Sequence, residues 1–116
     1  MTIALIEDDE AILRSLGMLL ESLGHEVRVT HDPAQAIAAV QDAAFDVFVL
    51  DIGLPGMDGY MLARHLRAHA NGRTATFIAL TGYGSADDRH RGGDAGFDHY
   101  LVKPADLGEL VKLLQG

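Results

Sequence analysis

The chain has 116 residues, 48% of them hydrophobic, no Cys, and a formal charge of −8 from 9 Lys and Arg against 17 Asp and Glu. At about 100–150 residues per domain that length is one domain, 1–116, large enough to bury a core without covalent staples. Zero Cys excludes disulfides, thiolate metal sites and Cys nucleophiles. The acidity argues against binding a phosphate backbone, so no nucleic-acid partner is expected. No apolar run approaches the roughly 20 residues of a membrane span, and the Met1–Ala4 start lacks the basic stretch of a signal peptide. A soluble, cytoplasmic α/β domain is the expectation.

Thr2 to Ile6 is a near-continuous apolar run, as in a strand buried on both faces. Ile12, Leu16, Leu19, Leu20 and Leu23 follow at helical spacing, with Gly24 as a stop. His25 to Thr30 alternates with period two, as a half-buried strand near a sheet edge does. Asp32-Pro33 is an N-cap with Pro at the first helical position, opening an Ala-rich helix to Ala44. Asp46 to Leu50 is a second buried strand, ending on Asp51. Gly53 to Gly59 is turn chemistry, with Asp58 placed to cap a helix through His69. Thr76 to Leu80 predicts a fourth strand ending on Thr81, and Ser85 to Asp94 a polar fourth helix that Gly96 breaks. Phe97 to Val102 predicts a fifth strand ending on Lys103-Pro104, and Asp106 caps a last helix carrying Leu107, Leu110, Val111 and Leu114. Strict strand–helix alternation with short links implies a doubly wound parallel sheet with helices on both faces.

In such a sheet, ligands bind outside the carboxyl ends of the strands. Those ends deliver Glu7-Asp8-Asp9, Asp51, Thr81 and Lys103 to one edge. Carboxylates gathered in one crevice repel unless a cation is shared, and hard oxygen ligands without His or Cys select Mg²⁺, with Mn²⁺ as a substitute. A divalent ion beside a Lys and a hydroxyl suits a phosphoryl group. Asp51 is the candidate nucleophile, since carboxylates form acyl phosphates. Each residue alone has an ordinary structural explanation as a cap or a solvated side chain; their joint placement at four strand ends does not. Glu7 is either part of the cluster or a rim residue facing solvent.

These residues carry a resemblance. Ile6 to Glu10 (IEDDE), Leu50 to Gly59 (LDIGLPGMDG), Ala79 to Gly82 (ALTG) and Tyr100 to Pro104 (YLVKP) are similar, over the whole chain, to receiver domains of two-component response regulators. The later segments GYGSADD and AGFDHYLVKPADLGEL also resemble receivers of hybrid histidine kinases. The resemblance implies a flavodoxin-like sheet of order 2-1-3-4-5. Asp51 would accept a phosphoryl group from a phosphohistidine on a histidine kinase or phosphotransfer protein. Mg²⁺ would be bound by Asp9, Asp51 and the Gly53 backbone carbonyl, with Asp8 direct or through water. Lys103 would contact Asp51 and then the phosphoryl group, Thr81 would swing toward it, and Tyr100 would move inward. The fifth strand and its flanking helices would then control a downstream protein. Such a domain catalyses only its own phosphorylation and dephosphorylation, and at 116 residues it would be a single-domain regulator or an excised receiver in a phosphorelay.

Several positions depart from that pattern. Gly82 replaces the usual Ala after the switch Thr, and Gly53 and Tyr83 occupy the two positions that tune attack by water. Gly92-Gly93 stands where the family carries Ala-Leu. Each Gly costs roughly 1 kcal/mol of helix propensity, so a short, mobile or displaced fourth helix is expected. His65 and His69, at i and i+4, lack a third metal ligand, and Met18, Met57 and Met61 are assigned to packing or loops.

Rival readings are weaker. A Mg²⁺-dependent phosphatase or mutase needs a second Asp where Gly53 stands, and a cap domain. A flavin module needs a phosphate loop where Glu7-Asp8-Asp9 would repel phosphate. A receiver-like docking module that works without phosphorylation is the remaining alternative, although every key residue is intact.

Overall fold

The protein, a computed structural model, is described at residues 1–52, 59–81, 97–102 and 107–114, apart from the side chains of Thr81, Val102 and Leu107. Five strands run in chain order: β1 (Thr2–Ile6), β2 (Glu26–Thr30), β3 (Val47–Asp51), β4 (Thr76–Thr81) and β5 (His99–Val102). The helices are α1 (Glu10–Ser22), α2 (Pro33–Asp42), α3 (Gly59–Ala68) and a C-terminal helix (Leu107–Leu114). Every strand pair is parallel, and the sheet order is β2-β1-β3-β4-β5. The doubly wound parallel sheet is the one expected from the alternation of apolar runs, and its order is the flavodoxin-like one that the resemblance implies.

The ends of the helices follow local chemistry. The Asp9 carboxylate caps α1, accepting from the N–H groups of Ala11 (2.9 Å) and Ile12 (3.3 Å). Asp32 caps α2 through Ala34 N–H, with Pro33 at the first position, where its missing donor costs nothing. Gly24, at φ +93°, turns the chain out of α1 in a conformation other residues resist.

Period-two alternation splits the core between the two faces of the sheet. Ile3, Leu5, Val47, Val49, Ile78, Leu80 and Leu101 meet Leu13, Leu16 and Leu20 of α1 and Leu110 of the C-terminal helix. Ala4, Ile6, Phe48, Leu50, Phe77 and Ala79 meet Ala36 and Val40 of α2 and Tyr60, Leu62, Ala63 and Leu66 of α3. On that second face Phe48 and Phe77 stack at 4.9 Å, and Phe97 meets Tyr60 edge-on at 6.0 Å.

At the amino edge of the sheet, polar groups are tied to backbone or to opposite charge. Asp98 Oδ2 accepts from Phe77 N–H (2.8 Å) and from Arg67 Nη2 (3.1 Å), and the Arg67 guanidinium lies 4.3 Å from the Phe77 ring centre. Asn71 Nδ2 donates to the Val40 carbonyl (2.8 Å), joining α2 to the end of α3.

Two expectations change. Met18 and Met61 are not core residues; they are 65% and 51% exposed on α1 and α3. The edge strand β2 is more open than simple alternation predicts, because Gly17 faces Val29 from α1 and offers no side chain to cover it, leaving Val29 54% exposed. The predicted fourth helix, Ser85 to Asp94, lies outside the described residues, as does Met57.

Candidate functional site

The pairing of β1 with β3 runs from Ile3 opposite Val47 to Ile6 opposite Leu50. The next residues, Glu7 and Asp51, therefore arrive at the same level of the sheet. Period two puts Glu7 on the face of Ile3 and Leu5, and Asp51 on the face of Val47 and Val49, so both belong to the α1 side. Glu7 is fully buried and Asp51 nearly so, at 0% and 6% exposure, while Asp8 is exposed. One carboxylate oxygen from each of Glu7, Asp8 and Asp51 lies within 4.8 Å of the other two.

Backbone contacts fix these positions. Glu7 N–H donates to the Thr30 carbonyl (3.1 Å), and Glu7 Oε1 accepts from Asp9 N–H (3.1 Å). Asp51 lies opposite Leu80, and Ile52 N–H donates to the Leu80 carbonyl (3.0 Å), holding the residue after Asp51 against β4. Gly59 N–H closes onto the Ile52 carbonyl (2.8 Å).

Carboxylates at this separation repel by on the order of a few kcal/mol in a medium intermediate between water and dry protein. A cation shared among them offsets that repulsion. The donor set is oxygen throughout, which suits a hard divalent ion such as Mg²⁺. On donor chemistry and spacing, the residues fit the ion expected from the sequence.

The composition of the cluster differs from expectation by one residue. Asp9 was expected to bind metal with Asp51; its carboxylate instead satisfies two N–H groups of the first turn of α1. Glu7, which sequence left between cluster and rim, is buried in the cluster. The alternation Ile3, Leu5, Glu7 carried that signal, since it places Glu7 on a covered face. Asp8 and Asp51 stand where expected. Thr81 ends β4 opposite Val102, one residue beyond the level of Asp51. Tyr100 is half-buried on the α2–α3 side, its ring 6.0 Å from that of Phe97. Lys103 and Gly53 lie outside the described residues, as do Gly82, Tyr83 and Gly92-Gly93. His65 and His69 form no metal group among the described residues; His69 Nδ1 accepts from Asn71 N–H (3.1 Å) beyond the end of α3.

The family model for the response regulator receiver domain matches residues 3–115. The chain belongs to the response regulator receiver domain family. It is similar to the receiver domain of a sensor histidine kinase from Pseudomonas aeruginosa, whose structure holds a magnesium ion in the active-site cleft: 36% identity, 98% of this chain, 93% of that chain, TM-score 0.89. It is also 38% identical, over 90% of its length, to a gliding motility regulatory protein of Myxococcus xanthus, of which it spans 13%. A transcriptional regulatory protein of Mycobacterium tuberculosis, TcrA, is 38% identical over 97% of this chain and 44% of its own length. The receiver domain thus spans less than half the length of these two curated relatives. Among the described residues, no helix is long and apolar enough to cross a membrane.

Proposed function

We propose that this receiver domain is a phosphoryl-accepting switch with Asp51 as the acceptor. The observation that carries the reading is the cluster of Glu7, Asp8 and Asp51, two of them buried, at the carboxyl ends of adjacent parallel strands. Asp51 is the nucleophile: an oxygen of its carboxylate bonds to phosphorus as the bond from phosphorus to the donor's imidazole nitrogen breaks. The donor is a phosphohistidine on a histidine kinase or phosphotransfer protein.

Asp8 and Asp51, with Glu7 directly or through water, are the residues to hold Mg²⁺ or Mn²⁺, and when bound the ion neutralises charge on the phosphoryl oxygens. Asp9 serves this set from outside. Its carboxylate fixes the first turn of α1 and its N–H holds Glu7. The resemblance assigns Lys103 and Thr81 to the phosphoryl oxygens, the Gly53 carbonyl to the metal, and Tyr100 to the switch. The new dianion would bias two conformations of the surface around β5 and its flanking helices, toward a downstream protein in the cytoplasm.

Incubation with acetyl phosphate and Mg²⁺, followed by intact mass, tests this reading. One added phosphoryl group, absent in Asp51→Ala, is expected. No adduct from any donor, together with no beryllofluoride binding, overturns it and leaves a docking module that signals without phosphate.

A further inference from the structure

Gly59 is the first residue of α3, and its backbone rests on the segment carrying the acceptor. A Cβ built on it would lie 2.6 Å from Ile52 Cα and 2.8 Å from the Asp51 carbonyl oxygen. Ordinary contact between carbon atoms begins near 3.5 Å. Both neighbours are main-chain atoms, so no change of rotamer relieves the overlap. The two backbones must separate by up to about 1 Å.

The reason for glycine here is distance, not dihedral angle, since Gly24 is the only positive-φ glycine among the described residues. The close approach is locked by the Gly59 N–H bond to the Ile52 carbonyl at 2.8 Å, while Ile52 N–H is held by Leu80. Asp51 is thus fixed from two sides, by β4 through Ile52 and by the start of α3 through Gly59.

We infer that Gly59 is a positioning residue for the phosphoacceptor: its missing side chain sets where the Asp51 carboxylate stands relative to Glu7 and Asp8. This rests on the reading of Asp51 as acceptor and metal ligand. A displacement of about 1 Å at a reacting group can lower a rate roughly a hundredfold.

The molecule supplies its own control. Gly72, beyond the other end of α3, is equally crowded: a Cβ there would lie 2.1 Å from the Leu66 carbonyl oxygen. It sits near the amino edge of the sheet, where its N–H donates to the His69 carbonyl.

The test compares wild type, Gly59→Ala and Gly72→Ala at a temperature where circular dichroism shows each folded. Mg²⁺ affinity is read by calorimetry and the rate of phosphorylation from acetyl phosphate by intact mass. Both substitutions are expected to lower the melting temperature. Gly59→Ala should lose at least tenfold in Mg²⁺ affinity and in rate, and Gly72→Ala should stay within twofold of wild type in both. Wild-type values in Gly59→Ala, or equal losses in the two variants, overturn the inference. Wild type that binds Mg²⁺ but takes no phosphoryl group overturns the switch reading instead, and the Mg²⁺ affinities still decide the role of Gly59. If Gly59→Ala does not fold, hydrogen exchange on the wild type decides: Mg²⁺ should slow exchange at the Gly59 amide and leave the Gly72 amide unchanged. No slowing at Gly59 contradicts the proposal.

Discussion

The two edges of this sheet treat acidic groups in opposite ways. At the amino edge, carboxylates meet donors. Asp98 accepts from Phe77 N–H and Arg67, and Asp46 Oδ2 accepts from Thr2 N–H at 2.7 Å. At the carboxyl edge, carboxylates meet one another, with Glu7, Asp8 and Asp51 inside 4.8 Å. Both edges are built from the same strands and sit on the same core. The amino edge is arranged to hold the fold together. The carboxyl edge gathers three carboxylates whose mutual repulsion a bound cation offsets, and that is where chemistry is placed.

Substitutions separate the two behaviours. The largest effect is expected at the carboxyl edge. Asp51→Asn should abolish the phosphoryl adduct and raise the melting temperature in Mg²⁺-free buffer, because one of three like charges is gone. In wild type, Mg²⁺ should stabilise by about 2.7 kcal/mol at a hundredfold excess over its dissociation constant, and Asp51→Asn should lose most of that gain. Thermal melts with and without Mg²⁺ check both. A variant less stable than wild type without Mg²⁺ would erase the contrast between the edges.

At the amino edge the sign reverses. Asp98→Ala leaves the buried Phe77 N–H without an acceptor and removes the Arg67 ion pair, at a cost of about 1–3 kcal/mol. Mg²⁺ affinity should not change, as denaturant melts beside a Mg²⁺ titration would show. Asp9→Ala should cost about 1 kcal/mol by removing the cap of α1. Asp9→Ser keeps a capping oxygen without the charge and should restore most of that stability, read by the same melts.

The smallest effect is expected at Gly17, a glycine with room to spare. Its added Cβ would meet Val29 Cγ1 at 3.4 Å, close to ordinary contact. Gly17→Ala in the interior of α1 should stabilise by up to about 1 kcal/mol. A large loss would mean that Val29 cannot yield, and that Gly17 belongs with Gly59 and Gly72.

Much of this was legible in the residues. Apolar runs of five, capping Asp residues and Gly24 mark the strands and helices to within a few positions, because the signals are local. The sheet order came with the resemblance, which the match over residues 3–115 supports. Sequence brought Asp8, Asp9 and Asp51 to one edge; the structure groups Asp8 and Asp51 with Glu7 and sets the Asp9 carboxylate on the first turn of α1. Glu7, Asp8 and Asp9, in a run of four acids, look alike in sequence, and only the pleat and the start of α1 distinguish them. Strand alternation carries Glu7 inward, and the first turn of α1 claims Asp9. The exposure of Val29 was not legible, because it depends on Gly17 standing across from β2. The crowding at Gly59 was equally hidden, since it arises where α3 returns to the end of β3, a tertiary approach no local pattern reports.

The most direct test of the central claim is a calorimetric Mg²⁺ titration of wild type, Asp8→Ala, Asp51→Ala and Asp9→Ser. The account predicts one bound equivalent in wild type and in Asp9→Ser, and loss of binding in Asp8→Ala and Asp51→Ala. Binding lost in Asp9→Ser, or retained in Asp8→Ala, would contradict the cluster of Glu7, Asp8 and Asp51 as the metal site.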